Sequence, residues 1–443
     1  MNAVAILIDN GTVIDGLGNP PFLASVLIEQ GRISAVGPEA ATRAASFDDK
    51  VSIDASGLTV MPGLIDAHCH LAFDDAESNS ELFFQRRNAL SALVASYNAK
   101  KLIRAGVTGM LDPDSTFENM IDLRDAIETG VVEGPRMACG AYALITSIGG
   151  TAGRLIADRG VTGYYMAVSG DDEIRAEVRR QIKHGADWIK VHVTGVVPRL
   201  AHRGEMCAWT DHELALICET AHELDTPVMG HCRGADATLR ATNAGFDLLL
   251  HATLMDEKTL EAVVARKVPL VPTLTFQANL SEFGAKVGSN PALMELFERE
   301  LIDSAPMLTE AYRAGVPLLC GSESGFSMVP YGHWHYREME VFVNHLGLTP
   351  LEAIRCATSE GSLALRLDGK VGRIEAGCEA DLMVLDGNPA QDVSLLGEIE
   401  RIRHVIIRGE LQDLSPLPSR QPLPGWRVGT IGNQLTRDVA FGD

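Results

Sequence analysis

The stretch "LTVMPGLIDAHCHL", residues 58–71, divides the 443-residue chain into two kinds of text. Before it lie short segments, "AILIDNGTVIDG" and "ASVLIEQGRISAVG", whose apolar residues alternate around Asn-Gly and Gln-Gly. Such dipeptides accept the left-handed backbone of a tight turn, so both segments read as hairpins. After it, short apolar runs alternate with segments of helical period, such as "NMIDLRDAIETG" (119–130) and "DHELALICETAHELD" (211–225). That alternation predicts βα units and a parallel sheet.

Eight apolar runs follow this pattern: 58–68, 106–112, 135–142, 187–193, 226–231, 247–252, 268–274 and 316–321. Eight parallel strands with intervening helices are the arithmetic of an α/β chain folded as a (β/α)8 TIM barrel. A doubly wound open sheet is the alternative, but no GxGxxG follows the first strand. Past "TPLEAIRCATSEGSLALRL" (349–367), a helix pair by period, the chain turns strand-like again in "GRIEAGCEADLMVLDGNP" and "RIRHVIIRGEL". The expected organisation is residues 1–59 pairing with 366–415 in one small β-domain, a barrel over 60–365, and an extended Pro-rich tail over 416–443. That tail, with "SPLPSRQPLPGW", reads as a disordered end or an arm on a neighbouring subunit.

The chain is 46 % apolar and 22 % charged, ordinary for a globular protein. Its formal charge of -21 argues against nucleic acid or an anionic membrane as partners, since both need a basic footprint. No run of 18 apolar residues predicts a transmembrane helix, and the start lacks the pattern of a signal peptide. The eight scattered cysteines contain no CxxC pair and read as free thiols of a reducing, cytoplasmic compartment.

The residues that carry chemistry sit at the ends of the runs. His68 and His70, two apart in "GLIDAHCHL", point to one face at the C-terminal end of the first strand. That end is where active sites of this fold lie, and paired imidazoles there suit a zinc-like ion. In "GADWIKVHVTG", Lys190 and His192 share one face of an apolar strand. A lysine so placed either snorkels to the strand end or is paired or chemically modified; a neutral amine can take up carbon dioxide as a carbamate. His231 in "TPVMGHCRG" and His251 in "DLLLHATLMD" each end an apolar run, and each alone reads as readily as a hydrogen-bonded core histidine. Jointly, four strands ending in metal-capable residues, with Glu323 in "CGSESG" after the eighth, are hard to explain by packing.

This constellation resembles the metal-dependent amidohydrolase superfamily along nearly the whole chain, through "MPGLIDAHCH", "WIKVHVTG", "GHCRG", "LLHATLMD", "CGSESG" and the closing "GRIEAGCEADLMVLDGNP". It is most similar to the imidazolonepropionase-like and Xaa-Pro dipeptidase-like branch. The resemblance implies that the two chain ends form a β-sandwich, and that His68 and His70 hold one divalent ion and His231 and His251 a second. Lys190, N-carboxylated, would bridge the two, which would be zinc, or cobalt or manganese. Glu323 would act as base and possible ligand toward a bridging hydroxide that attacks an amide-type C–N bond. Homo-oligomerisation and a small-molecule substrate, an N-acyl amino acid or dipeptide-like compound, are part of the same expectation. The alternatives are carbamate, urea or anilide substrates, or a mononuclear or non-catalytic metal barrel.

Three places depart from the family pattern. Glu323 in "GSESG" replaces the usual Asp, one methylene longer; "GGTAG" (149–153) stands where "GGHG" is common; and Arg233 follows the fifth-run histidine in "HCRG". Arg233 reads either as a clamp for a substrate carboxylate or as half of an ion pair with a rim acid. His333, Trp334 and Tyr336 in "GHWHY" are expected to line the substrate pocket, and His192 to face it as a substrate contact or supporting donor.

Overall fold

The computed structural model describes residues 4–76, 87–116, 118–150, 160–162, 164–195, 205–420 and 434–442. The chain opens with β1 (Ala5–Val13), β2 (Phe22–Glu29), β3 (Arg32–Val36), β4 (Lys50–Asp54) and β5 (Thr59–Pro62). Gln30-Gly31, both at positive φ, make the expected two-residue turn between β2 and β3. Asn10-Gly11 does not make a turn. It lies inside β1 as a register shift, with Asn10 at φ 58. The bulge lets the first half of β1 pair with β4 and the second half with β5.

Ten strands follow: β6 (Leu64–Asp66), β7 (Val107–Asp112), β8 (Arg136–Cys139), β9 (Ala143–Ile145), β10 (Gly160–Thr162), β11 (Tyr165–Ala167), β12 (Ile189–His192), β13 (Val228–Arg233), β14 (Leu248–Thr253) and β15 (Leu270–Val271). They form two sheets, β6-β7-β8 and β10-β11-β9-β12-β13-β14-β15, parallel throughout except for the β10-β11 pair. Helices such as Asn119–Glu128 and Asp211–His222 separate the strands, the latter started by a capping box of Thr210 and Glu213. The strands are almost wholly buried, and their apolar residues make the largest core with the helices packed outside.

Two expected strands are corrected. The seventh run, 268–274, yields only Leu270–Val271, because Pro269 and Pro272 have no N–H to give a ladder. The eighth, 316–321, forms no strand. It touches β15 at one bridge, Leu270↔Leu318, and its next donors go elsewhere: Cys320 N to Cys356 O, and Ser322 N to the Asp66 side chain at 2.9 Å. Backbone hydrogen bonds still link the two parallel sheets. Ala67 N donates to Cys320 O at 2.8 Å on one side, and Asp187 N to Cys139 O at 2.8 Å on the other.

After the helix Pro350–Cys356 and the single turn Gly361–Leu363, the chain adds β16 (Leu382–Leu385), β17 (Ile402–Ile407) and β18 (Glu410–Leu411). β16 pairs antiparallel with β5, so strands from both ends of the chain share one eight-stranded sheet with its own apolar core. The described part of the tail is neither extended throughout nor detached: Pro418 O accepts from Tyr97, Arg420 pairs with Asp74, and a helix spans Arg437–Phe441. The Pro-rich residues 421–426 and the 151–153 part of "GGTAG" lie outside the described residues. All eight cysteines are unpaired, and no described helix is long and apolar enough to cross a membrane.

Candidate active site

The C-terminal ends of the parallel strands surround a cavity of about 160 Å3. His68, His70, Lys190, His192, His231, Arg233 and Glu323 line it, so seven of the residues singled out in the sequence meet there. The register explains the convergence. His192 on β12 is level with His231 on β13, and Cys232 is level with His251 on β14. The four imidazoles of His68, His251, His231 and His192 form a chain of ring contacts, with centroids 5.3, 4.5 and 4.9 Å apart in turn.

The first-strand loop and the eighth-run loop are locked to each other. Glu323 N donates to His68 O at 2.6 Å, and His70 N donates to Ser324 O at 2.8 Å. Beneath them Asp66 accepts from His68 N at 3.1 Å, from Ser322 N, and from the Ser322 hydroxyl at 2.5 Å, while His335 Nδ1 lies 2.7 Å from its other face. Gly321 permits the approach: a Cβ there would meet the Cβ of His68 at 2.7 Å. His251, Thr273 and Glu323 all hold positive φ (70, 56 and 55), a conformation that costs non-glycine residues energy and concentrates at functional sites.

Hydrogen-bond partners fix the imidazole tautomers. Thr273 Oγ1 donates to Val271 O, so it accepts from His68 Nδ1, 3.0 Å away. Asp114 O is a carbonyl and accepts from His70 Nδ1 at 3.1 Å. Both Nε2 atoms therefore carry lone pairs, yet they face each other at 3.2 Å. Two lone pairs at that distance repel unless a cation lies near both. His251 gives the second sign: both of its ring nitrogens are buried, and neither has a hydrogen-bond partner among the described residues. Donor atoms of His68, His251 and Glu323 lie within 4.8 Å of one another. Burial, ahead of the neighbouring cations, pushes the imidazoles of His68 and His251 well below the usual range and His70 to about 4. They are neutral at neutral pH, the form that binds metal. The residues present thus fit divalent metal ions.

Three acids complete the site. Asp114, which follows β7, bonds Lys190 Nζ at 3.1 Å and His192 Nε2 at 2.9 Å. Burial pushes its carboxyl up, but Lys190 and then His192 outweigh burial and hold it well below the ordinary range. Glu205 lies 3.1 Å from His231 Nε2; burial is again outweighed, by His231 and Arg233, and it sits at about 2. Glu323, deep in the protein with its carboxylate on the cavity, is pushed up to about 7 by burial, against the pull of Arg233 and Lys190. Asp114 was signalled by "MLDPDS", a D-x-D ending the second apolar run just as H-x-H ends the first. Glu205 carries no such signal, because no period of two links it to the end of β12.

One open alternative takes a side here and one expectation is corrected. Arg233 lines the cavity, but its NH2 is held by both oxygens of Glu300 at 2.5 and 2.6 Å, the ion-pair alternative. His333, Trp334 and Tyr336 do not line the cavity and face the C-terminal segment instead. Trp334 is fully buried, donates to Leu435 O at 2.7 Å and packs on Phe283 and Phe441; Tyr336 contacts Arg437, whose N–H points at His333 Nδ1. The pocket's aromatic residues are Phe73, Tyr164, Phe276, Phe297 and Phe326.

The chain is similar over most of its length to known proteins. An ochratoxinase of Aspergillus niger is 27 % identical over 438 residues, covering 92 % of this chain and 87 % of that protein. A prolidase solved with N-methylphosphonate-L-proline superposes with a TM-score of 0.80 at 27 % identity, covering 92 % of this chain and 99 % of the other. A Xaa-Pro dipeptidase with bound methionine gives 0.79 at 28 %, covering 92 % and 100 %. Residues 59–411 match the Amidohydrolase family. The chain belongs to the amidohydrolase family and is a hydrolase of carbon–nitrogen bonds.

Proposed function

We propose that the cavity hydrolyses an amide-type C–N bond with the help of two divalent metal ions, zinc by preference. The observation that carries this reading is the pair of imidazole lone pairs facing each other beside the unpartnered ring of His251. His68 and His70 would hold one ion and His231 and His251 the other, with Lys190 and Glu323 between. Glu205 stands at His231 Nε2, so it would join the ligand set or be displaced. Carboxylation of Lys190 would turn a cation beside Asp114 into an anion, which only bound divalent cations could offset. Such ions supply a lowered pKa for water and a polarised substrate carbonyl.

The chain's own residues supply proton transfer and orientation. Glu323, poised at about 7, takes a proton from the attacking water on its carboxylate and delivers it to the leaving nitrogen. Asp114 holds His192 and Lys190 in place, and Asp66 holds the backbone of both His68 and Ser322. The relatives named prolidase, Xaa-Pro dipeptidase and ochratoxinase support an N-acyl amino acid or dipeptide-like substrate. A second reading, an uncharged carbamate, urea or anilide, is favoured by the engagement of Arg233 with Glu300.

We also read the two parallel sheets, linked by backbone hydrogen bonds on either side of β6-β7-β8, as a closed (β/α)8 barrel over 60–365. On this reading the shared sheet of 1–59 and 366–415 is a separate domain, and the assembly is a cytoplasmic homo-oligomer. The test is a hydrolysis screen of dipeptides, N-acyl amino acids, carbamates and anilides with zinc, cobalt or manganese. Amine release by the wild type and its loss in Glu323→Gln are expected. No release from any class with any metal would overturn the reading.

A further inference from the structure

The cavity has two unlike halves. One is the cluster of imidazoles and carboxylates. The other is a continuous aromatic wall in which Phe326 contacts Phe73 and Phe276, with centroids 5.3 and 6.1 Å apart, and Phe276 contacts Phe297 at 5.8 Å. Arg233 stands where the halves meet, its guanidinium 5.4 Å from the Phe297 ring centre. Among the described residues at that junction it is the guanidinium placed to receive a substrate carboxylate, and it is occupied. Glu300 reaches in from the helix Pro291–Arg313 to place both oxygens on its NH2, Gln277 donates to Glu300 at 3.3 Å, and Glu205 approaches the Arg233 Nε at 3.7 Å. One cation thus faces two acids.

We infer that Glu300 is a specificity-determining residue: it fills the carboxylate seat of Arg233, so the cavity accepts an uncharged aromatic group on the scissile amide and rejects a substrate carboxylate. A negatively charged substrate would have to expel Glu300 from a nearly buried ion pair and then sit beside Glu205 and Glu323. An aryl ring meets no such cost. The aromatic half presents it with four phenylalanine rings, within a cavity whose two halves together measure about 160 Å3. The inference rests on the reading of the cavity as the hydrolytic site and selects the uncharged substrate class over the N-acyl amino acid or dipeptide.

The experiment pairs substrates of matched size that differ by one carboxylate. 4-Acetamidoacetophenone is compared with 4-acetamidobenzoate, and N-isobutylbenzamide with N-benzoylglycine, in the metal-loaded wild type and in Glu300→Gln. In parallel, benzyl alcohol and benzoate are titrated into the metal-free wild-type protein and followed by calorimetry. The wild type should favour the neutral member of each pair at least tenfold in kcat/KM and bind benzyl alcohol more tightly than benzoate. Glu300→Gln, which keeps the size and polarity of the side chain, should shrink or invert the ratio by freeing Arg233; Glu300→Ala repeats the test should Gln fold poorly. A wild-type preference for the acids, or a ratio unmoved in both variants, overturns the inference. Should no substrate be cleaved, the hydrolytic reading fails, and the metal-free titration still decides: tighter binding of benzoate defeats the inference on its own.

Discussion

Replacing Lys190 by Met removes a buried cation while nearly keeping its volume. The Lys190 and Asp114 side chains are each about 1 % exposed, and 3.1 Å separates Nζ from Oδ1. Breaking such a pair from one side costs about 3–5 kcal/mol, because the remaining charge stays buried and uncompensated. A ceiling follows from protonation: neutralising an aspartate of ordinary pKa, about 3.9, at pH 7 costs about 4 kcal/mol, at about 1.4 kcal/mol per unit. His192 still donates to Asp114 at 2.9 Å, so the lower end applies, about 3 kcal/mol. The pH dependence has a definite sign. In the wild type Asp114 is held well below the ordinary range, so its contribution is constant from pH 7 to pH 4 and lost only in stronger acid. In Lys190→Met, burial, the largest influence on Asp114, should outweigh the remaining partner and raise the carboxyl above its unfolded value. The deficit then grows with pH above about 4 and shrinks on acidification. Urea unfolding of the metal-free proteins at pH 7 and pH 4.5 measures this, and Lys190→Met with Asp114→Asn should regain most of the loss. A loss under about 1 kcal/mol at pH 7, with no change between the two pH values, would refute the reasoning.

Other perturbations separate binding, chemistry and packing. His251→Leu should leave the metal-free protein within about 1 kcal/mol of wild type, because it removes two unpaired buried nitrogens, yet metal content measured by mass spectrometry should fall. Glu323→Gln should keep metal content and lower hydrolysis by about 10²-fold or more, as expected for a lost general acid–base, and Glu323→Asp should fall between the two. Leu435→Ala should cost about 2–5 kcal/mol in unfolding experiments without changing metal content, since Leu435 is fully buried against the segment that holds Trp334.

What the sequence showed of this site follows from strand geometry. His68 with His70, and Lys190 with His192, are two apart at strand ends, and a period of two puts such residues on one face wherever the strand runs. The same rule would have found Asp114 from Asp112 and Asp114 in "MLDPDS". Glu205 and Glu300 escape the rule. One comes from a loop and the other from a long helix, and neither position is coupled by a short period to the strands it reaches. The segment 332–336 was misplaced for a related reason. Its apolar rings demand burial, but the sequence does not say against what, and the C-terminal helix Arg437–Phe441 covers them rather than a ligand. The eighth run shows the limit of apolar pattern alone: it reads as a strand, yet after one bridge to β15 the end of a helix takes the Cys320 N–H and the Asp66 side chain that of Ser322, just past the run.

The central claim is that the converging imidazoles and Glu323 form a metal site that drives amide hydrolysis. The direct test is titration of zinc into metal-free wild type and into His68→Ala, followed by calorimetry, with hydrolysis of the best substrate assayed at each point. The account predicts two equivalents bound by the wild type, activity rising with occupancy, and loss of both binding and activity in His68→Ala. Full hydrolysis by the metal-free protein, or zinc binding undiminished in His68→Ala, would contradict it.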